Sequence, residues 1–515
     1  MKEKRVLKFN HLISNGTVHE NYKDFESSVY AEVYRSATSI TEKIVLRNIE
    51  WMDHKKNLRC EDFERSNVIS FIGRRGTGKT SALISFNDAL NLYMRNVEYQ
   101  SQMPLQFEHQ QSMSNVRFYS LKCIDTSILE ESENIFILIL ANMFSRIQSY
   151  EKQVNQRINE YDQRNLMKKF EEIYEDFVSI NSGIEKMEGY SSYEKLRNAA
   201  SSQRIRENFE ELVKIYLNII DSEDMNNSVD GYIHCRYKFL VILLDDIDLS
   251  RQKKENGNTN WGVYKIMNTI YKYLTVPGVI VLSAYDYEKL YQRCEDFFDE
   301  ENGKRGNSRE AANQLAEKIF PISTRIYMPS WRKDDLRSKN EIKISLEGSD
   351  DFVLKTYRER MKIDTFQIKD FIFALLYEKT GVCFDYDRHS RHFFEPDTIR
   401  SLYNTVDFLK NLKTYDHKIS DEKEFEKFQH NIGKLKEDCY FRYKEEILIE
   451  NNYERGLFNE WIESSAVDRS KEIVRKLSQT TVQLGLDVKQ SYLAKKYYND
   501  KRAIDISALR TDPVY

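Results

Sequence analysis

Apolar residues along the chain follow two rhythms. In one, short unbroken runs end abruptly at polar residues: VISFI (Val68–Ile72), NVRFYSLKC (Asn115–Cys123), KFLVILLD (Lys238–Asp245), GVIVLSAYD (Gly278–Asp286) and RIYMP (Arg325–Pro329). Runs of this length, rich in β-branched residues, predict buried strands. In the other rhythm apolar positions recur every three or four residues. Leu83, Phe86, Leu90 and Met94 follow the first strand this way, and the apolar segment NIFILILANMF follows the second. Ile147, Tyr150, Val154, Ile158 and Tyr161, then Leu166, Phe170, Ile173 and Phe177, continue it. This spacing lays one apolar stripe along a helix. Buried strands alternating with helices predict an α/β fold built on a parallel sheet.

The alternation is interrupted once. Sheet signals return only at Lys238, so residues from about 146 to about 231 form a helical insertion, either a packed helical hairpin or an arm that binds a partner. Residues 1–66 are expected to be mostly helical, since Phe25–Trp51 lacks both Pro and Gly. Beyond about residue 335 sheet signals fade. Phe366–Tyr377 and Ile399–Leu412 are expected to be helices, the second opening at Pro396 with Ile399, Leu402, Tyr403, Val406 and Leu409 on one face. The expected division is an N-terminal helical segment (1–66), a core (67–330) and a C-terminal helical region (331–515).

Composition narrows the class. Of the 515 residues 31% are charged and 40% hydrophobic, with a net charge of -4, the balance of a globular chain. Near neutrality argues against attraction of the whole surface to nucleic acid and leaves room only for a local basic groove. The six cysteines (Cys60, Cys123, Cys235, Cys294, Cys383, Cys439) are scattered without a CxxC pair, as expected for free thiols in a reducing cytoplasm. The N-terminus MKEKRVLKFNHLISNG has no signal-peptide core, and no apolar run reaches spanning length, so no membrane association is expected.

Chemistry concentrates at two strand ends. Gly73, Gly78, Lys79 and Thr80 fit the pattern GxxxxGK[ST], set between a strand and a helix. Glycines let the backbone curl so that successive N–H groups converge on phosphate oxygens, and the helix start adds its positive end. The candidate nucleotide-binding residues are Gly73, Arg74, Arg75, Gly76, Thr77, Gly78, Lys79, Thr80 and Ser81. Lys79 is expected on the terminal phosphates and the Thr80 hydroxyl on Mg²⁺. The third strand ends LLDDID. Asp245 is placed to hold Mg²⁺ through water, and Asp246 to orient or deprotonate an attacking water; Asp248 has a less definite place.

Phosphate loop, a strand ending in Asp125, the DDID strand and the strand ending LSAYD together resemble the additional-strand class of P-loop ATPases. Within that class the chain is similar to AAA+ ATPases and to the STAND and KAP-type NTPases; the DDID ending, EKIFP (Glu317–Pro321) and EPDTIRSLYN (Glu395–Asn404) carry the likeness to the latter group. The resemblance covers about residues 66–330 and the helices near 400. It implies a three-layer P-loop NTPase core with ATP and Mg²⁺ as ligands. It further implies that Ser283 is a polar sensor between the acids and the γ-phosphate, and that Arg400 is a sensor arginine in a helical lid. If subunits form rings, an arginine finger is expected among Arg305, Arg309 and Lys318, and spacing does not choose between them. Two departures matter. Asp246 stands where such enzymes usually carry Glu, which suits slow hydrolysis, and a polar insertion replaces the membrane helices of KAP-type relatives. No LSGGQ, NKxD, DEAD or DEAH motif points to another P-loop class.

The functional expectation is a cytoplasmic, homo-oligomeric, Mg-dependent ATPase whose cycle drives assembly or conformational change in a multi-protein complex. By analogy with the resembled families, bacterial antiviral defence with a separately encoded effector is the expected setting. Two alternatives stand beside it: a DNA- or RNA-handling motor or loader using the basic stretch Arg469–Arg502, and an ATP-bound scaffold that does not hydrolyse. The cluster Cys383, Asp385, Asp387, His389 and His392 matches no zinc spacing and is expected to be a solvated loop.

Overall fold

In the computed structural model the chain divides into two units, His19–Pro329 and a second made of Met1–Val18 with Ser330–Tyr515. Described are residues 30–53, 67–93, 105–130, 133–154, 160–181, 201–227, 235–250, 261–301, 307–329, 396 and 398–412, the short pieces 5–8, 342–345, 365–367, 382–383 and 504–505, and the single positions 372, 427, 430, 431 and 434.

The larger unit is an α/β fold built on a six-stranded parallel sheet. Its strands are β1 (Val68–Ile72), β2 (Val116–Ser120), β3 (Ile124–Asp125), β4 (Tyr237–Asp245), β5 (Val279–Tyr285) and β6 (Arg325–Tyr327). They lie in the order β2-β4-β5-β1-β6, with β3 pairing β4 beyond the end of β2. Each strand run expected from the sequence is present within a few residues of its expected limits. β1 and β5 are buried along their whole length, which is why their sequences are apolar without alternation.

Helices cover both faces. On one, Phe86 of α2 (Lys79–Leu92) packs on Phe71, and Glu42 of α1 (Ala31–Asp53) accepts hydrogen bonds from the backbone N–H groups of Glu108 and His109. On the other, Val68, Ile72, Leu240, Ile242 and Val281 belong to a large apolar cluster. That cluster draws on α3 (Ile135–Val154), α4 (Glu160–Asn181), α5 (Ser201–Asn227), α6 (Trp261–Thr269), α7 (Tyr287–Glu301) and α8 (Ser308–Ile319). At its centre the Phe136 ring lies 5.3 Å from that of Phe209 and 4.9 Å from that of Tyr273.

The inserted helices are part of this core. α4 and α5 pack side by side and are joined by Lys169–Glu211 at 2.7 Å and by Arg204–Asp176. α5 is also fastened to the sheet by a buried polar knot. Asp221 accepts hydrogen bonds from Tyr119 of β2 at 2.7 Å and pairs with Lys238 of β4 at 2.8 Å and Arg117 of β2 at 3.5 Å.

The second unit departs from expectation. Arg5–Lys8 is a strand, parallel to Ile342–Ser345, which in turn pairs antiparallel with Thr365–Gln367. Val382–Cys383 pairs with Ile504–Asp505. The N-terminal residues therefore divide between the two units, and strand replaces helix at Phe366 and Gln367. RVLK, IKIS and TFQ are too short to carry a strand signal, and RVLK finds its partner IKIS only across more than half of the chain. α9 (Ile399–Asn411) is where its apolar stripe predicted it, capped by Thr398, whose hydroxyl accepts from the Ser401 N–H at 3.1 Å. Arg305, the acid- and histidine-bearing part of the Cys383 cluster and the basic stretch 469–502 lie outside the described residues.

Candidate functional site

β1 ends at Ile72, and the Gly73 N–H still reaches Tyr285 O of β5 at 3.3 Å. The chain then curls. Gly76 and Gly78 have φ of 86° and 85°, the left-handed region that costs an L-residue strain and a glycine nothing. Inside the curl Arg74 O accepts from Thr77 N (3.3 Å), Thr77 Oγ1 (2.8 Å) and Lys79 Nζ (3.3 Å). Lys79 is buried, its ammonium held by the loop's own backbone. α2 starts at Lys79, and no side chain caps it at Gly78. A helix start leaves four N–H groups without partners inside the helix, and here they meet a glycine turn in place of a capping oxygen. Thr77 is buried, Thr80 and Ser81 are half-buried, and Arg74 and Arg75 are exposed. The Arg74 guanidinium stands 3.8 Å from Glu288 at the start of α7.

The acidic strand end lies beside the loop. Asp245 closes β4; one carboxylate oxygen accepts the Asp246 N–H at 2.9 Å, and the Thr80 side chain lies near the same carboxylate. Burial pushes its pKa up to about 6, and Asp246 adds to the rise; the Thr80 side chain, the Asp246 N–H and the Lys79 charge oppose it. Asp246 is the one non-glycine residue of positive φ among the described residues, at 52°. A residue held in this region stores strain on the order of 1 kcal/mol, a feature that concentrates at functional sites. Register sets Asp125 of β3 opposite Asp245, its carboxylate accepting from Ser127 N at 2.9 Å. Asp248 is buried and accepts the Asp286 N–H at 2.9 Å. Burial raises its pKa, and Lys79 is among the charges that pull it back.

The loop residues and Asp245–Asp246 are thus brought together. Ser283 sits inside β5, its hydroxyl engaged with Ser70 Oγ at 3.1 Å and Ile69 O at 3.2 Å. The residue that leaves the strand next to the loop is Asp286, which accepts the Glu288 N–H at 3.2 Å at the head of α7. Arg400 is an exposed residue in the first turn of α9, in the second unit. Arg309 is exposed on α8, and Lys318 lies over the Tyr271 ring at 4.3 Å.

Asp286, Tyr30 and Met328 were not singled out from the sequence, and each touches this site. Asp286 could have been found, as the terminal acid of LSAYD. Tyr30, whose hydroxyl donates to Thr77 O at 3.1 Å, has no local signal. Among the described residues, Glu42, Glu108 and His109 bring three ligand-type groups together, but Glu42 is occupied by the two backbone N–H groups it caps. No described helix is long and apolar enough to cross a membrane. No protein-family model matches the chain, and no curated protein matches it.

Proposed function

We propose that the larger unit binds ATP with Mg²⁺ and hydrolyses it. The observation that carries this reading is the meeting of a glycine-curled loop, a buried lysine and an uncapped helix start with a buried carboxylate beside the loop's threonine. The first three favour a polyphosphate anion. Thr80 and Asp245 offer the hard oxygen ligands that Mg²⁺ prefers, and Asp245, short of cations at rest, is suited to gain one. Mg²⁺ would neutralise charge developing on the phosphates. The sheet order agrees with the additional-strand class of P-loop ATPases, since β5 lies between the loop-bearing β1 and the acid-bearing β4.

Lys79 and the loop amides hold the phosphates, and Asp246 takes the proton of an attacking water or orients it. Its aspartate carboxylate is one methylene shorter than a glutamate, so turnover is slow. The nucleotide cycle serves a homo-oligomeric assembly with a separately encoded effector, in a reducing compartment that suits the free Cys123, Cys235 and Cys294.

ATP binding by titration calorimetry and phosphate release test the reading together. Lys79→Ala is expected to abolish binding. Asp246→Asn is expected to retain binding and lower turnover at least about a hundredfold, the usual scale for a lost general base. Binding and turnover both unchanged in Lys79→Ala would overturn it.

A further inference from the structure

We propose that Tyr30 and Met328 are positioning residues for the phosphate loop, gripping it at its two ends; the inference rests on the nucleotide reading above. Tyr30 is buried at the head of α1, its carbonyl accepting the Tyr34 N–H at 2.9 Å. Its hydroxyl donates to Thr77 O at 3.1 Å. The Thr77–Gly78 peptide is trans, so its C=O and N–H point to opposite sides. Fixing the carbonyl toward Tyr30 therefore turns the Gly78 N–H the other way. That N–H has no acceptor among the described residues, and it is one of the donors a phosphate oxygen would use. The contact also gives Gly78 a second reason to be glycine: a Cβ there would come within 1.8 Å of the Tyr30 hydroxyl oxygen.

Met328 grips the other end of the loop. Its N–H donates to Ile72 O at 2.7 Å, and its Cβ lies 2.9 Å from where a Cβ on Gly73 would stand.

Tyr30→Phe keeps the ring and deletes only the hydroxyl. Titration calorimetry with Mg·ATP separates a positioning role from a structural one. Loss of positioning raises Kd about fivefold, the scale of one hydrogen bond, at unchanged stoichiometry. A merely structural role lowers the bound stoichiometry through unfolded protein and leaves Kd unchanged. Met328→Ala keeps the N–H and Cβ and removes the Cγ that lies 3.2 Å from where a Cβ on Gly73 would stand; it is expected to raise Kd, and Met328→Leu to restore it. Hydrogen exchange should slow at the loop when Mg·ATP is added. Wild-type Kd in Tyr30→Phe and Met328→Ala, with binding lost in Lys79→Ala, would overturn the proposal and leave the nucleotide reading standing. Unimpaired binding in Lys79→Ala would overturn both.

Discussion

Two buried carboxylates, Asp221 and Asp245, sit against the same sheet and are treated in opposite ways. Asp221, 2% exposed, is met by the ammonium of Lys238, the guanidinium of Arg117 and the hydroxyl of Tyr119. Asp245, 6% exposed, has one backbone N–H, a nearby threonine side chain and the weak pull of the Lys79 charge, set against the like charge of Asp246. A buried charge must be compensated or it drives up its own pKa. The fold compensates Asp221 with its own cations, which fastens the inserted α5 to β2 and β4. It leaves Asp245 short, which is a cost at rest and an opening for a bound cation. On the proposed reading, the same side chain is structural where the protein supplies the counter-charge and a ligand group where it does not.

Removing each carboxylate tests this contrast, because the two effects have opposite signs. Asp221→Ala strands Arg117 and Lys238 and is expected to cost about 3–5 kcal/mol, the scale for breaking a buried pair from one side. Urea unfolding checks it, and a loss under about 1 kcal/mol would show that the knot is not fully buried charge. Asp245→Asn is expected to stabilise the ligand-free protein. Burial raises the folded-state pKa from the ordinary 3.8 to about 6, so the folded state binds a proton more readily than the unfolded one. The stability tied to this proton is present in full below about pH 4 and is lost as pH rises through about 6. Asn cannot lose it. The variant should therefore exceed the parent by up to about 3 kcal/mol above pH 6 and match it near pH 4, read by thermal melting without Mg²⁺. Mg²⁺ with ATP should close the gap for the parent alone. Destabilisation by both substitutions at neutral pH would erase the contrast.

How far the sequence could announce this contrast depends on how local each feature is. The glycine turn before α2 was legible because its requirements are local: glycines at left-handed turns and a lysine at a helix start all lie within one short stretch. β1, β4 and β5 were legible because burial on both faces leaves unbroken apolar runs. Asp245 and Asp246 were legible as acids ending such a run. What distinguishes Asp245 from Asp221 was not legible, since Asp221 meets Arg117, Tyr119 and Lys238 only across the sheet. Tyr30 and Met328 reach the loop through tertiary packing, and no spacing encodes that. The second unit's strands failed for a related reason: Arg5–Lys8 finds Ile342–Ser345 across most of the chain, with two apolar residues on each side of the pairing. Arg400 was assigned by resemblance, and its helix by periodicity; only the helix is a property of local sequence.

Ser283 carries the smallest expected effect and separates the two roles most cleanly. The resemblance makes it a sensor, in which case Ser283→Ala would lower phosphate release and leave stability nearly untouched. The geometry gives its hydroxyl to Ser70 and to Ile69 O inside the sheet. A neutral hydroxyl satisfied there needs no ligand, so it belongs with Asp221 and not with Asp245. Ser283→Ala is then expected to cost about 1 kcal/mol, the net worth of a typical buried hydrogen bond, with ATP turnover per folded molecule unchanged. Melting temperature and phosphate release on the same sample decide it. A fall in turnover without a fall in melting temperature would return Ser283 to the site, and it would mean that a group satisfied at rest can still take part in the chemistry.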